Sequence, residues 1–388
     1  TETNLSTQAT VRVYHQAGGW WIDGKDSYPT WATLQDGKAV RQTYVDTGES
    51  WGSSHHEFYF GGQKHSVNLV FNSKYYENNV LVNDKNYLGG RMRIIQDLSG
   101  DFTRMQTIGD YPSDGLGNTS RNPNATGDCF VNTDGSNYLE AWVLSTNQGL
   151  AYFAHGNVPA QNPAKLELQE PQGDSPDPID PDPVDPDPTP VTSEVGEFSE
   201  VWHYSIAKNN LPSWFDNTTN FTRTAAIVGD KVVVANIKAW GKLSMHAITA
   251  DQNASVSAVK TDGISVGTIV IGALASYNGK LVACNSAANN HKFKVYMWKN
   301  GLDAAPEVIL EADHGSVPVG DNMTISNGRI GVAGTDNGKF EVIWYQINAD
   351  GSVNPTPNVI ALDLSKKPGN RSGSSVYFEK DGSFWLNN

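Results

Sequence analysis

The groups best suited by type to do chemistry are a run of imidazoles and carboxylates, His55-His56-Glu57, followed by His65. Neutral imidazoles are good ligands for transition metals. Adjacent residues of a strand point to opposite faces, however, so His55 and His56 cannot both reach one ion from a regular strand. These histidines are read as exposed or hydrogen-bonded strand residues, and no metal or other cofactor is expected. Two segments, Gly48-Glu49-Ser50-Trp51-Gly52 and Gly263-Ile264-Ser265-Val266-Gly267, match the Gly-x-Ser-x-Gly nucleophile elbow. That elbow needs a strand, a sharp turn and a helix to expose the hydroxyl beside an oxyanion hole, and neither serine is followed by a helical pattern. A glycosidase needs two carboxylates facing across a cleft, roughly 5 to 9.5 Å apart. Asp110, Asp114 and Asp128 lie in a suitably polar region, yet nothing in their spacing makes them converge. No catalytic residue is assigned, and the chain is read as non-enzymatic.

Aromatic side chains in or near loops offer binding chemistry instead. An aromatic face is apolar and packs against sugar C–H groups. Trp20, Trp21, Trp51, Tyr75, Tyr76 and Trp240 are therefore candidate glycan contacts, while Trp142, Trp298, Trp344 and Trp385 are read as core. Asn-x-Ser/Thr sequons at Asn118, Asn124, Asn217, Asn220 and Asn322 are candidate glycosylation sites.

The elements that must position these residues are strands. With 37 Gly, 11 Trp, 15 Tyr, 13 Phe and 18% charged residues, and little helical periodicity, the composition is that of an all-β chain with many turns. One pattern recurs: apolar strand, tight Gly or Asp turn, second strand, polar loop, third strand. The turns end at Lys231, Lys280, Arg329 and Ser383, at intervals of 49, 49 and 54 residues. Asn-Gly and Asp-Gly suit type I′ hairpins, whose central positions both need φ > 0. A meander repeating at this period reads as β-propeller blades.

Residues 174–190 carry seven prolines, six aspartates and no basic residue. Such a stretch reads as an extended polyproline-type spacer, spanning roughly 50 Å at about 3.1 Å per residue. It divides the chain into a partial propeller at 1–165, a linker at 166–194 and a second partial propeller at 195–388. The net charge of −14 and the lack of a basic stripe argue against nucleic acid and anionic membranes. No apolar run is long enough to span a bilayer, so no membrane insertion is expected. Cys129 and Cys284 read as buried free thiols, with a disulfide between them as the alternative. The chain opens at Thr1 without methionine or signal peptide, as expected of a mature, processed or excised form.

The last repeat stops after a hairpin, Ser375 to Phe378 and Ser383 to Leu386, leaving a sheet edge that something must cover. Residues 9–15, an alternating strand, would supply the missing partner. Three blades after the spacer, two before it (Ser66 to Ile95 with Val80 to Asn83 as the middle strand, and Asp128 to Ala154) and one shared by the termini make six; the segment from Trp20 to Val45 is an insertion or a seventh.

Leu211-Pro212-Ser213-Trp214-Phe215 with Phe221-Thr222-Arg223, and Leu144 to Tyr152, resemble the opening and closing parts of uncharacterised secreted bacterial cell-surface β-propeller proteins, often associated with glycan uptake. The resemblance covers about two thirds of the chain and carries no catalytic motif. It implies the order second half then first half, the reverse of this chain. The resulting expectation is an extracellular or cell-surface structural protein of six or seven blades. Val11, Val13 and Tyr14 of one subunit would pair with the strands bearing Val376, Phe378, Phe384 and Leu386 of the next, giving a head-to-tail fibre. The alternative is a monomeric propeller that binds carbohydrate, with a glycosidase behind both.

Overall fold

A computed structural model describes residues 13–14, 30–35, 38–43, 49–72, 75–77, 80–82, 89–98, 105–117, 127–156, 158, 198–218, 222–239, 242–265, 269–288, 291–336, 339–348, 351–362, 374–378 and 384–387. The elements among them are strands. A short β1 (Val13–Tyr14) is followed by a two-stranded hairpin, β2 (Thr30–Gln35) and β3 (Lys38–Thr43). Blade 1 comprises β4 (Glu49–Phe60) and β5 (Gln63–Asn72), then, after a small hairpin of β6 (Tyr75–Glu77) and β7 (Val80–Val82), β8 (Gly90–Asp97) and β9 (Met105–Tyr111). Blade 2 is β10 (Gly127–Thr133), β11 (Tyr138–Ser145), β12 (Gly149–Gly156) and β13 (Ser199–Ser205). Blade 3 is β14 (Ala225–Val228), β15 (Lys231–Ala239), β16 (Lys242–Thr249) and β17 (Val256–Val259). Blade 4 is β18 (Ile269–Tyr277), β19 (Lys280–Ser286), β20 (Phe293–Met297) and β21 (Glu307–Ala312). Blade 5 is β22 (Thr324–Ser326), β23 (Arg329–Asp336), β24 (Lys339–Gln346) and β25 (Asn358–Leu362). Last come β26 (Ser375–Phe378) and β27 (Phe384–Asn387).

The hairpin turns form where the sequence places left-handed residues. Val228 pairs with Lys231, Tyr277 with Lys280 and Ser326 with Arg329, each across a two-residue turn. Asn278 and Gly279 have φ of 49° and 69°, and Asn327 and Gly328 have 46° and 71°, as a type I′ turn demands. The strands then alternate. Blade faces carry runs such as Val232-Val233-Val234-Ala235, fully buried because both faces of the sheet are covered by neighbours.

Successive sheets enclose the hydrophobic cores. Leu69, Ile94, Val143 and Phe153 fill the space between blades 1 and 2. Trp142, Tyr152, Trp202 and Val234 fill that between blades 2 and 3, and Ile271, Ala283, Tyr296 and Trp298 that between 3 and 4. Val295, Val332 and Tyr345 lie between 4 and 5, and Phe340, Val342, Val376 and Phe378 between blade 5 and the terminal sheet. Each fully buried large apolar side chain contributes about 1.5 to 3 kcal/mol, so a blade is held by its neighbours more than by itself. Trp142 and Trp298 are core residues as expected, and Trp344 packs partly buried against Phe378. Cys129 and Cys284 are buried free thiols in β10 and β19.

Three expectations are corrected. The described residues form five four-stranded blades, where six or seven were expected. Val13 does lie opposite Leu386 and Tyr14 opposite Asn387, but among the described residues the sheet they make has three strands. Its β1 spans two residues and runs parallel to β27, whereas a meander step is antiparallel. Of the segment from Trp20 to Val45, expected to be an insertion or a seventh blade, the described residues form the hairpin β2–β3. Second, the chain is not split into two partial propellers. β12 and β13, on either side of the spacer, are antiparallel neighbours in blade 2, from Gly149 opposite Ser205 to Ala154 opposite Ser199. The stretch between them is thus a long connection within one blade. Third, Val80–Val82 is not a blade strand: β5 pairs directly with β8, and β6–β7 is an excursion between them.

Candidate functional site

The expected glycan contacts are mostly beyond what the structure describes. Trp20, Trp21 and Trp240 lie outside the described residues, as does the assembly residue Val11. Trp51 lies in β4 and Tyr75 and Tyr76 in β6, with side chains outside the described set. Of the sequons, Asn118, Asn124 and Asn220 lie outside it too. Asn217 is half-buried, and Asn322 donates its Nδ2 to Ser375 Oγ at 2.8 Å. At the terminal sheet, Val376, Phe378 and Phe384 are buried, and Leu386 is paired with Val376 as well as Val13. This pairing lies within one chain, so β27 already carries a partner strand.

Among the described residues, neither motif serine sits at a strand-turn-helix elbow. Ser50 sits within strand β4, and Ser265 lies in a loop leading into β18, where its Oγ accepts a hydrogen bond from Lys294 Nζ. The carboxylates have separate partners. Asp110 receives two hydrogen bonds from Arg93, at 2.7 and 2.8 Å, and Asp128 Oδ1 accepts the N–H of Cys129. Asp114 pairs with Lys208 at 2.7 Å. Burial pushes the Asp114 carboxyl up, but Lys208 outweighs it and holds the group below its ordinary value. His65 is buried, with Nδ1 3.0 Å from the Gln63 carbonyl and its ring stacked on Phe58, and burial lowers its pKa. His55 and His56 pair with Asn68 and Val67 in the β4–β5 ladder.

The structure adds a site that sequence reading missed, a cleft of about 580 Å³ between blades 3 and 4. Its mouth is set by the two tight turns, where Gly229 and Gly279 stand at φ of 61° and 69°. Lacking side chains, they leave the opening clear. Leu302 and Ala258 form an apolar floor over the fully buried Leu281 and Trp298, the latter fixed because its Nε1 donates to the Lys260 carbonyl at 2.8 Å. The rim is polar: Asp230, Lys231, Ser257, Lys280, Lys299 and Asp303. Lys280 Nζ donates to the Lys299 carbonyl at 2.6 Å, Lys231 approaches Asp230 at 3.2 Å, and Lys299 reaches Glu307 at 2.9 Å. Exposed carboxylates and ammonium groups above an apolar floor can hydrogen-bond hydroxyl groups while the floor takes up C–H surface. The cleft was legible only in part: the turns were read correctly, but their convergence on one mouth depends on the packing of adjacent blades.

No family model matches the chain, and no curated relative does. Among solved structures, an ancestral GH74 enzyme aligns over 97% of this chain and 49% of its own, at 10% identity and a TM-score of 0.47. The chain thus spans about half the length of that protein. The fungal lectin of Aleuria aurantia, a six-bladed β-propeller with a fucose recognition mode, aligns over 86% and 87%, at 10% identity and 0.45. A DUF4623 family protein from Bacteroides eggerthii aligns over 83% and 64%, at 14% identity and 0.37. The neighbours include β-propeller proteins, but likeness at this level carries no argument about what this chain does. The propeller itself rests on the strand pairing.

Proposed function

We propose that this chain is a non-enzymatic, extracellular propeller that binds carbohydrate in the cleft between blades 3 and 4. The observation that carries the reading is the cleft's amphipathic lining, an apolar floor of Leu302 and Ala258 beneath a rim of Asp230, Ser257, Lys280 and Asp303. A sugar ring has the matching two-sided chemistry, with C–H groups on one face and hydroxyls around its edge. The cleft volume of about 580 Å³ falls within the range of small-molecule sites, roughly 300 to 1,000 Å³, and suits a short glycan. A head-to-tail fibre has no comparable observation in its support.

The test is a glycan array probed with the whole chain, followed by calorimetry of the retained sugar against wild type, Asp303→Ala and Asp230→Asn. Each side chain lies on the exposed rim, so the variants should fold. Loss of one charge-assisted hydrogen bond, about 1.5 to 3 kcal/mol, weakens binding roughly 10-fold or more. Absence of any retained glycan, affinity unchanged in both variants, or steady release of reducing sugar from the bound glycan would each overturn the proposal.

A further inference from the structure

Away from the cleft, one cluster brings metal-ligating side chains together from two blades. Asp114 follows β9 of blade 1, whereas Glu200 and His203 stand on β13, the outer strand of blade 2; one ligand atom from each lies within 4.8 Å of the other two. In a regular strand, residues three apart face opposite sides. Here the ladder slips: Ala151 pairs with His203, Tyr152 with Trp202, but Phe153 with Glu200, leaving Val201 as the extra residue of a β-bulge. The bulge restores the parity and turns Glu200 to the side of His203, placing Glu200 Oε2 3.2 Å from His203 Nδ1. His203 is enclosed, at 6% exposure, and its Nε2 has no hydrogen-bond partner. On the far side Lys208 Nζ sits 2.7 Å from Asp114 Oδ2.

We infer that Asp114, Glu200 and His203 form a site for a divalent transition ion of the Zn²⁺ type, with Lys208, paired to Asp114, as a cation that competes for that carboxylate. One imidazole and two carboxylates suit Zn²⁺ better than Ca²⁺ or Mg²⁺, which take oxygen ligands. Bonds of about 2.0 to 2.2 Å require ligand atoms roughly 3.4 Å apart, so the cluster must contract. The carboxylate side chains are 51% and 40% exposed and have room to do so, while the enclosed imidazole stays fixed. Lys208, 41% exposed, can swing into solvent when the ion enters. The site is independent of the glycan cleft, which lies between other blades.

The experiment is calorimetric titration of the full chain with ZnCl₂ after dialysis against a chelator, repeated with Glu200→Gln, Asp114→Asn, His203→Asn and Lys208→Ala, each checked for folding by circular dichroism. Wild type should take up one equivalent. Each ligand variant should bind roughly 10-fold or more weakly. Lys208→Ala should bind more tightly, because a competing cation is gone, an outcome that a merely structural role for the cluster does not produce. No zinc uptake, or one equivalent bound undiminished in both Glu200→Gln and Asp114→Asn, would overturn the inference. Should His203→Asn fail to fold, the two exposed carboxylate variants decide.

Discussion

At the scale of single residues, carboxylates of blade 2 titrate in opposite directions for reasons visible in their surroundings. Asp134, at the turn between β10 and β11, is pushed up by burial, but the N–H groups of Asn137 and Ser136, the Asn137 side chain and the Tyr138 N–H together outweigh it and bring its carboxyl down to about 2. Glu140, two residues into β11, is buried, and burial pushes its carboxyl up against hydrogen bonds from Asn132 at 2.7 Å and Tyr152 at 2.8 Å. A carboxyl whose folded pKa is raised binds protons better folded than unfolded. Its contribution to stability is therefore fullest at low pH and falls as pH rises from the unfolded value through the folded one. Glu140→Gln does not titrate, so wild type should lose stability relative to the variant across that window. Thermal melts of both proteins from pH 3.5 to 8 test this: a melting-temperature difference that stays constant, or moves in wild type's favour as pH rises, would refute the assignment.

Between elements, the blades approach so closely that backbone meets backbone. A Cβ built on Gly272 in β18 would lie 1.9 Å from the carbonyl oxygen of Gly320, in the segment leading to blade 5. Gly62, in the β4–β5 turn, has φ of +76° but nothing within 4 Å of such a Cβ. Gly62→Ala should thus cost only the left-handed strain, about 1 to 2 kcal/mol, whereas Gly272→Ala must push two blades apart and should cost about 3 kcal/mol or more. Urea unfolding ranks them, and equal midpoints would falsify this account of blade packing. The contrast also marks what the sequence could convey. Asn278-Gly279 and Asn327-Gly328 announce their turns because the constraint is local. Gly272 sits in an ordinary apolar run, Ile269 to Tyr277, and its need for glycine comes from a segment nearly fifty residues away. Glu200 and His203 were missed for a similar reason: period-2 alternation sets them on opposite faces, and the bulge at Val201 that unites them is a property of pairing with β12.

For the whole molecule, the Asp-Pro stretch reads as a boundary because its composition cannot fold, and a boundary there makes the chain two bodies in need of a joint. The strand pairing removes the need. Ala154 and Ser199 are ladder partners, so the residues joining β12 to β13 have no distance to span. Antiparallel neighbours need a connection of only a few residues. Replacing residues 158–197 with four residues of Gly and Asn should therefore leave the ring of blades intact. By loop-closure entropy, shortening the connection about tenfold should stabilise the fold by roughly 2 kcal/mol. The measurement is sedimentation mass together with a urea melt. A shortened chain that sediments as a monomer with a raised midpoint supports β12–β13 pairing within one molecule. If that pairing were instead made between copies, a four-residue connection could not reach, and the shortened chain would unfold or change its oligomeric mass. Deleting residues 1–16 in the same background examines the other seam. It strips β1 from β27, and the bared edge should promote association without unfolding the five blades, because none of their strands is removed.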